Sequence, residues 1–385
     1  MKKITSNLII DGNGEAFANA TLIIDENGSI IDFLRNEKLA DAENHEGIIT
    51  PGFINSHCHT ELSHLKGKVE KKIGLNNFIL EIEKHRKAAT EEIIEACRNS
   101  VLEMKVKGIV GVGDICNSQI SKDIFELEEL RVHRFIELFA FLPERANVVF
   151  ERGLENYNIF SGYRSITLHA PYSASDNLIG LVSKWAKQNN GILSIHNQES
   201  FDENLLFKNK TGKILERLKL FGIDTDFWKE SGKNSSETIL NKLAITEQKI
   251  MLVHNTFSET EDIDFAEKFS KNIFWCLCPN ANIYIENRLP NINLLRKKKC
   301  KIVLGTDSLA SNHGLDIFEE MKTIASYFPH IPLSEMVNWA CKNASDFFGW
   351  EDLGSFKIGA KPGVNLVLDA ENQQLNIKSK LVKLN

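Results

Sequence analysis

No stretch of this sequence approaches the roughly 18 consecutive apolar residues that a membrane-spanning helix needs. The opening MKKITSNLII holds only a short apolar run before Asp11, too brief for the core of a secretion signal. Positive charge is in deficit: 46 Lys and Arg face 52 Asp and Glu, a net charge of −6 with no basic stripe. No nucleic acid and no membrane is therefore expected as a partner, and a small molecule fits better. Paired CxxC spacing is missing, and the seven cysteines (Cys58, Cys97, Cys116, Cys276, Cys278, Cys300 and Cys341) are odd in number and scattered. They read as reduced thiols of a cytoplasmic protein, not as a zinc ribbon or redox pair. A glycine-rich phosphate loop is lacking too. Gly108, Gly111 and Gly113 fall in and before a strand-like run and open no helix, which argues against a dinucleotide site. Homodimerisation is left open.

What is present has the size and rhythm of one large α/β unit. The 385 residues suit a barrel-sized domain of about 250 residues with a smaller companion. Within the first 50 residues, apolar runs alternate with Asp11-Gly12-Asn13-Gly14 and Asp25-Glu26-Asn27-Gly28, and Asn-Gly between apolar runs signals a hairpin. The chain end behaves alike, with runs at 364–368 and 375–382. The two ends, 1–50 and 352–385, are predicted to form one small composite β-sandwich domain. Between them, over 51–351, strand-like runs at 53–57, 109–115, 134–141, 165–169, 192–196, 250–254, 273–278 and 301–307 alternate with helical patterns. The helical patterns include 90–107, 177–189, 211–220, 259–270 and 316–327. Such alternation predicts a (β/α)8 TIM barrel.

Several runs end in residues that bind metals or move protons. The first ends in His57-Cys58-His59, whose two imidazoles leave one face of a strand while the thiol leaves the other. ILSIH ends at His196, IMLVH at His254 and KIVLGTD at Asp307. All five lie at carboxyl ends of strands, the face on which barrels build active sites. A divalent ion there lowers the pKa of water from about 15.7 toward 7, which suits attack on an electron-poor amidine carbon. Ring attack also demands a proton shuttle beside the metal, and Glu199, three residues beyond His196, is the natural candidate.

PGFINSHCH (51–59), HNQE (196–199), LVHN (252–255), CPNAN (278–282) and LGTDSLASN (304–312) resemble the amidohydrolase superfamily. The likeness is to its chlorohydrolase-like branch of cytosine, guanine and nucleoside deaminases and covers nearly the whole chain. HCHTELSHLKG and ENRLP are similar to the aminodeoxyfutalosine deaminase-like proteins of menaquinone synthesis. The resemblance implies that His57, His59, His196 and Asp307 hold one Zn2+ or Fe2+ with a position open for water. It implies that Glu199 shuttles protons, that Asp307 takes the water's proton and that His254 bonds the nucleophile or the substrate. A second metal is not expected, because SITLHAPYS (165–173) carries His169 where binuclear relatives have a carboxylated lysine. His169 and Glu61 would touch the sugar side of a purine or nucleoside substrate. Arg145 in LPER and Arg288 in ENRLP could grip a substrate carboxylate. Adenosine, S-adenosylhomocysteine, methylthioadenosine and guanine are further candidate substrates.

Four other readings compete. Ser63-His64-Leu65-Lys66, Ser175-Asp176-Asn177 and Lys210-Thr211-Gly212 match the SxxK, SDN and KTG triplets of penicillin-recognising serine enzymes, but the KTG region has helical spacing where a strand is required. His59-Thr60-Glu61 matches half of the cytidine-deaminase zinc signature, and the PCxxC half is missing. Cys276 and Cys278 read as strand-end wall thiols. Hydrolysis of a cyclic amide or imine, as in imidazolonepropionase-like proteins, and a barrel scaffold without chemistry complete the set.

Overall fold

The computed structural model describes residues 1–384. Both glycine-rich turns close hairpins. Asp25 accepts hydrogen bonds from the Asn27 and Ser29 amides through Oδ1, each at 2.8 Å, and so folds Thr21–Ile24 back antiparallel onto Ile30–Leu34. These strands join Lys2–Ile10, Ala16–Phe17, Glu43–Pro51, Val364–Leu368 and Lys380–Lys383 in one seven-stranded sheet, with Leu366 opposite Ile49. The last strand is shorter than the run 375–382 suggests, because Asn376 and Ser379 fold a turn through the Ser379 N–H to Asn376 O bond at 3.1 Å. One side of this sheet packs its own core, which includes Ile4, Ile9, Leu22, Phe33, Phe356 and Leu366.

All eight middle runs are strands. Phe53–Cys58, Ile109–Cys116, Arg131–Leu138 and Tyr163–Leu168 form one parallel sheet in that order, and Leu193–Asn197, Ile250–His254, Ile273–Leu277 and Lys301–Leu304 form a second. Hydrogen bonds link the sheets at both edges. Thr306 and Asp307 N–H donate to His57 O at 2.9 and 3.2 Å, and His196 N–H donates to His169 O at 2.9 Å. Helices follow the strands, among them Thr90–Val106, Asp176–Asn189, Thr260–Phe269 and Ile317–Tyr327. Among the described residues, no helix is long and apolar enough to cross a membrane.

Side-chain alternation sorts these strands into two apolar layers. Met251, Val253, Phe274, Cys276 and Val303 share an inner cluster with Ile54, Ile115 and Phe135. Leu252, Trp275, Leu277, Ile302 and Leu304 lie in the outer cluster beneath the helices. Strict alternation from Ile54 would send Cys58 inward and His57 outward. The pairing slips by one residue between Asn55 and Cys58, opposite Val112 and Asp114, and this bulge reverses the assignment. Cys58 consequently joins the outer cluster and the imidazoles turn inward.

Gly305 makes that arrangement possible from the other side of the seam. A Cβ there would stand 2.9 Å from both Cys276 Sγ and His57 O. Gly305→Ala is expected to cost roughly 1–3 kcal/mol of stability by overpacking. It should also weaken metal retention by displacing His57, a pair of effects read by denaturant unfolding and by metal analysis of the same preparation.

Candidate metal and substrate site

At the carboxyl ends of the strands, His57, His59, His196 and Asp307 bring one ligand atom each within 4.8 Å of all the others. His59 Nε2 lies 3.3 Å from His196 Nε2 and 3.4 Å from Asp307 Oδ1, and His57 Nε2 lies 4.0 Å from the same oxygen. Two of the rings are oriented from behind. His57 Nδ1 is 3.2 Å from Ser194 Oγ, and His196 Nδ1 is 2.8 Å from His169 O, where it donates, so both Nε2 atoms point at the common space. Ser311 Oγ donates to Asp307 Oδ2 at 2.5 Å and leaves Oδ1 for the imidazoles.

This donor set fits a divalent cation. His57 Nε2 is buried and has no hydrogen-bond partner, an expensive state for a polar atom without a ligand. Burial, followed by the neighbouring imidazoles, holds His57 well below the usual histidine range; burial alone lowers His59 to about 4. Both rings are thus neutral at pH 7, the form that ligates metals.

Glu199 is buried just beyond its strand, with Oε1 3.6 Å from His254 Nε2. Burial raises its pKa well above the carboxylate range, and the charges of Asp307 and Glu203 raise it further. His254 would point outward by alternation with Leu252, but its backbone turns at φ 76° and the ring lines the cavity. Both its ring nitrogens are buried and unpaired. Asp307 likewise stands at φ 58°, so two of the strand tips hold a conformation that non-glycine residues rarely adopt.

These groups close one end of a cavity of about 450 Å3. Its walls are mostly apolar: Leu75, Phe78, Ile79 and Ile82 from the helix Leu75–His85, Leu218 from the helix Lys213–Leu220, and Phe141. His169 lines it, with its ring 4.8 Å from that of His196 and Nδ1 2.9 Å from Ser173 Oγ.

Three expected contacts fall elsewhere. Arg145 is exposed and lines a neighbouring hollow, since the 3-10 turn Pro143–Arg145 carries it past the rim. Arg288 is exposed and lies 4.6 Å over the Phe257 ring. The Glu61 carboxylate is occupied by Ser118 N and Oγ, both at 2.9 Å, and by Asn117 N at 3.2 Å, and so pins the loop after the second parallel strand.

Two lining residues lie outside the expected set. Glu137 stands 3.6 Å from His196 Nδ1 with its pKa pushed up to about 8 by burial. Arg131–Leu138 begins and ends three residues before the run 134–141, because Arg131, Val132 and His133 pair with Gly111, Val112 and Gly113, so Glu137, not Phe141, is the inward residue at the tip. Arg217, on the helix Lys213–Leu220, is the second.

The serine-enzyme triplets are scattered: Ser63 lies in a 3-10 turn, Ser175 caps a helix by accepting from Leu178 N, and Gly212 precedes the helix Lys213–Leu220. All seven cysteines are buried and free.

The sequence model of the Amidohydrolase family matches residues 48–384, and the chain belongs to that family. The family match and its deaminase-named relatives make the chain a hydrolase of C–N bonds. Among curated relatives, the aminodeoxyfutalosine deaminase of a Nitratiruptor species is 24% identical over 382 residues, covering 94% of this chain and 89% of its own length. The crystal structure of Helicobacter pylori aminofutalosine deaminase with methylthio-coformycin superposes with a TM-score of 0.80 at 19% identity, over 95% of this chain and 92% of that one. An adenosine deaminase from Xanthomonas campestris with bound zinc gives 0.71 at 16% identity, over 95% and 84%.

Proposed function

We propose that this chain is a mononuclear, metal-dependent nucleoside deaminase. In this reading the two parallel sheets are halves of one (β/α)8 barrel over 51–351, and 1–50 with 352–385 is the composite β domain. His57, His59, His196 and Asp307 hold one ion. Three imidazoles and a carboxylate suit Zn2+, and the zinc-containing relative supports that choice. The observation that carries the reading is the buried Glu199–His254 pair at the same cavity end as the ligand set.

The bound cation would supply Lewis acidity that brings a water's pKa from about 15.7 toward 7. The chain's own residues do the rest. Glu199, protonated in its buried setting, donates to the ring nitrogen beside the attacked carbon. Asp307 accepts one proton of the attacking water; Glu199, ionised by its donation to the ring, takes the second from the new hydroxyl and passes it to the departing amine, which leaves as ammonia, and the proton on Asp307 returns to Glu199 for the next turnover. His254, its ring nitrogens otherwise unpaired, bonds the incoming oxygen. The apolar walls exclude bulk water and hold the nucleoside.

Aminodeoxyfutalosine is the leading substrate in this reading, supported by the relatives named above. An ammonia-coupled screen across aminodeoxyfutalosine, adenosine, methylthioadenosine, S-adenosylhomocysteine and guanine tests it. Stoichiometric ammonia from at least one nucleoside is expected. Turnover of a cyclic amide without ammonia would contradict it.

A further inference from the structure

A separate cavity of about 350 Å3 opens at the amino ends of four strands, the end opposite the metal-ligand set. His133 and Tyr163 come from the starts of Arg131–Leu138 and Tyr163–Leu168, Ile192 stands just before Leu193–Asn197, and Lys249 just before Ile250–His254. Phe347 and Phe348, from the helix Ala344–Phe348, close another side. No residue lines both this cavity and the one that holds Glu199. His133 and Glu137 lie four residues apart on one strand, so about 13 Å of extended chain separates the two.

The walls are aromatic and the rim is cationic. Tyr157 and Trp185 meet edge to face at 5.2 Å, and Gly191 leaves room for the indole, since a Cβ there would come within 2.4 Å of it. The Arg164 Cζ lies 4.5 Å over the Tyr157 ring, and Arg164 Nε is buried with no hydrogen-bond partner. Among the described residues, Arg164 makes no side-chain hydrogen bond and no ion pair. A guanidinium carries five N–H donors in a planar fork, so this one has its donors free for a ligand. Lys249 donates to Asp346 O. Burial lowers the Lys249 pKa, Asp346 raises it, and the charges of Lys301 and Lys342 lower it again, so cations crowd this side of the cavity. Glu247 is the one carboxylate in the lining, and it is exposed. At the base, His133 is 6% exposed, with Nε2 2.9 Å from Ser165 Oγ and Nδ1 buried and unpaired. Unpaired polar atoms in an aromatic hollow argue for a ligand that completes them.

We propose that this cavity is a second binding site, for a small aromatic carboxylate whose ring lies among Tyr157, Trp185 and Phe348 and whose carboxylate pairs with Arg164 and Lys249. The volume suits one small molecule, at the lower end of the range for ligand cavities. A carboxylate offers two coplanar acceptors to the free edge of the guanidinium, and a flat ring matches walls built from π-systems. The site goes beyond the deaminase reading and does not depend on it.

The test is calorimetric titration of the metal-loaded full chain with benzoate, benzamide and acetate. Benzoate is expected to bind with a Kd of about 1 mM or tighter, and benzamide and acetate at least about 10-fold more weakly, the scale of a charge-assisted hydrogen-bonded pair. Arg164→Gln should weaken benzoate by a similar factor and leave metal content and ammonia release at the wild-type level. Arg164→Lys should retain part of the affinity, and Lys249→Gln should lose part of it; these two variants decide if Arg164→Gln folds poorly. Absence of benzoate binding by wild type well above that Kd overturns the proposal. Benzamide or acetate binding as tightly as benzoate overturns it as well. Benzoate affinity that survives both Arg164→Gln and Lys249→Gln but is lost in His59→Asn combined with His196→Asn would place benzoate on the catalytic ion and likewise overturn it.

Discussion

Glu199→Gln is expected to lower kcat by roughly 10²- to 10⁴-fold, the usual scale for loss of a general acid and base, while the metal content stays at the wild-type level. The two halves of that result separate roles. Glu199 is buried at the ligand end of the cavity and adjoins His254, but it is not one of the four side chains whose ligand atoms converge. Glutamine keeps the shape and the polarity and removes the exchangeable proton. Burial and the nearby Asp307 and Glu203 charges raise the Glu199 pKa well above the ordinary value, which favours the protonated form that the ring nitrogen needs. Near-normal ammonia release by the variant would remove Glu199 from the chemistry.

Stripping the metal is expected to have a still larger effect. Dialysis against a strong chelator should reduce deamination by more than about 10³-fold, because water then returns to a pKa of about 15.7. One equivalent of Zn2+ should restore it. Asp307→Ala should not be restorable in the same way: it removes an oxygen that faces His59 at 3.4 Å and the acceptor for the attacking water's proton. Full rescue of Asp307→Ala by added zinc would show that the carboxylate is neither ligand nor base. Cells grown with and without added zinc would serve as the control for partial loading.

Much of this was legible in the sequence because it depends on local periodicity. The eight middle strands announce themselves as short apolar runs, and all six metal- and proton-handling residues sit at or just past strand ends. Tip residues of parallel strands share one end of a sheet, so reading the tips amounts to reading the site. The same logic failed by three residues on the third strand. The run 134–141 is richer in apolar residues than 131–138, so apolar content pointed three residues too far along, and the pairing of Arg131 with Gly111 fixes the true register, which turns Glu137 to the cavity.

What was not legible is long-range or conformational. The bulge between Asn55 and Cys58 decides whether His57 faces the metal or the helices, and it follows from how Phe53–Cys58 pairs with Ile109–Cys116, not from either strand alone. His254 reaches the cavity through a backbone turn at φ 76°, against its alternation parity. The cavity wall is built where Leu75–His85 meets Lys213–Leu220, more than a hundred residues apart in sequence. Arg217 lies in a helical run with no signal that sets it apart, whereas Arg145 and Arg288 stand out as loop arginines.

Convergence of His57, His59, His196 and Asp307 on one ion is the claim from which the rest follows. Its most direct measurement is metal per chain by plasma mass spectrometry, in the purified wild type and in His59→Asn combined with His196→Asn. One divalent transition metal per wild-type chain and almost none in the double variant is the expected result. A wild type that binds no metal, or a double variant that keeps a full equivalent, would contradict it.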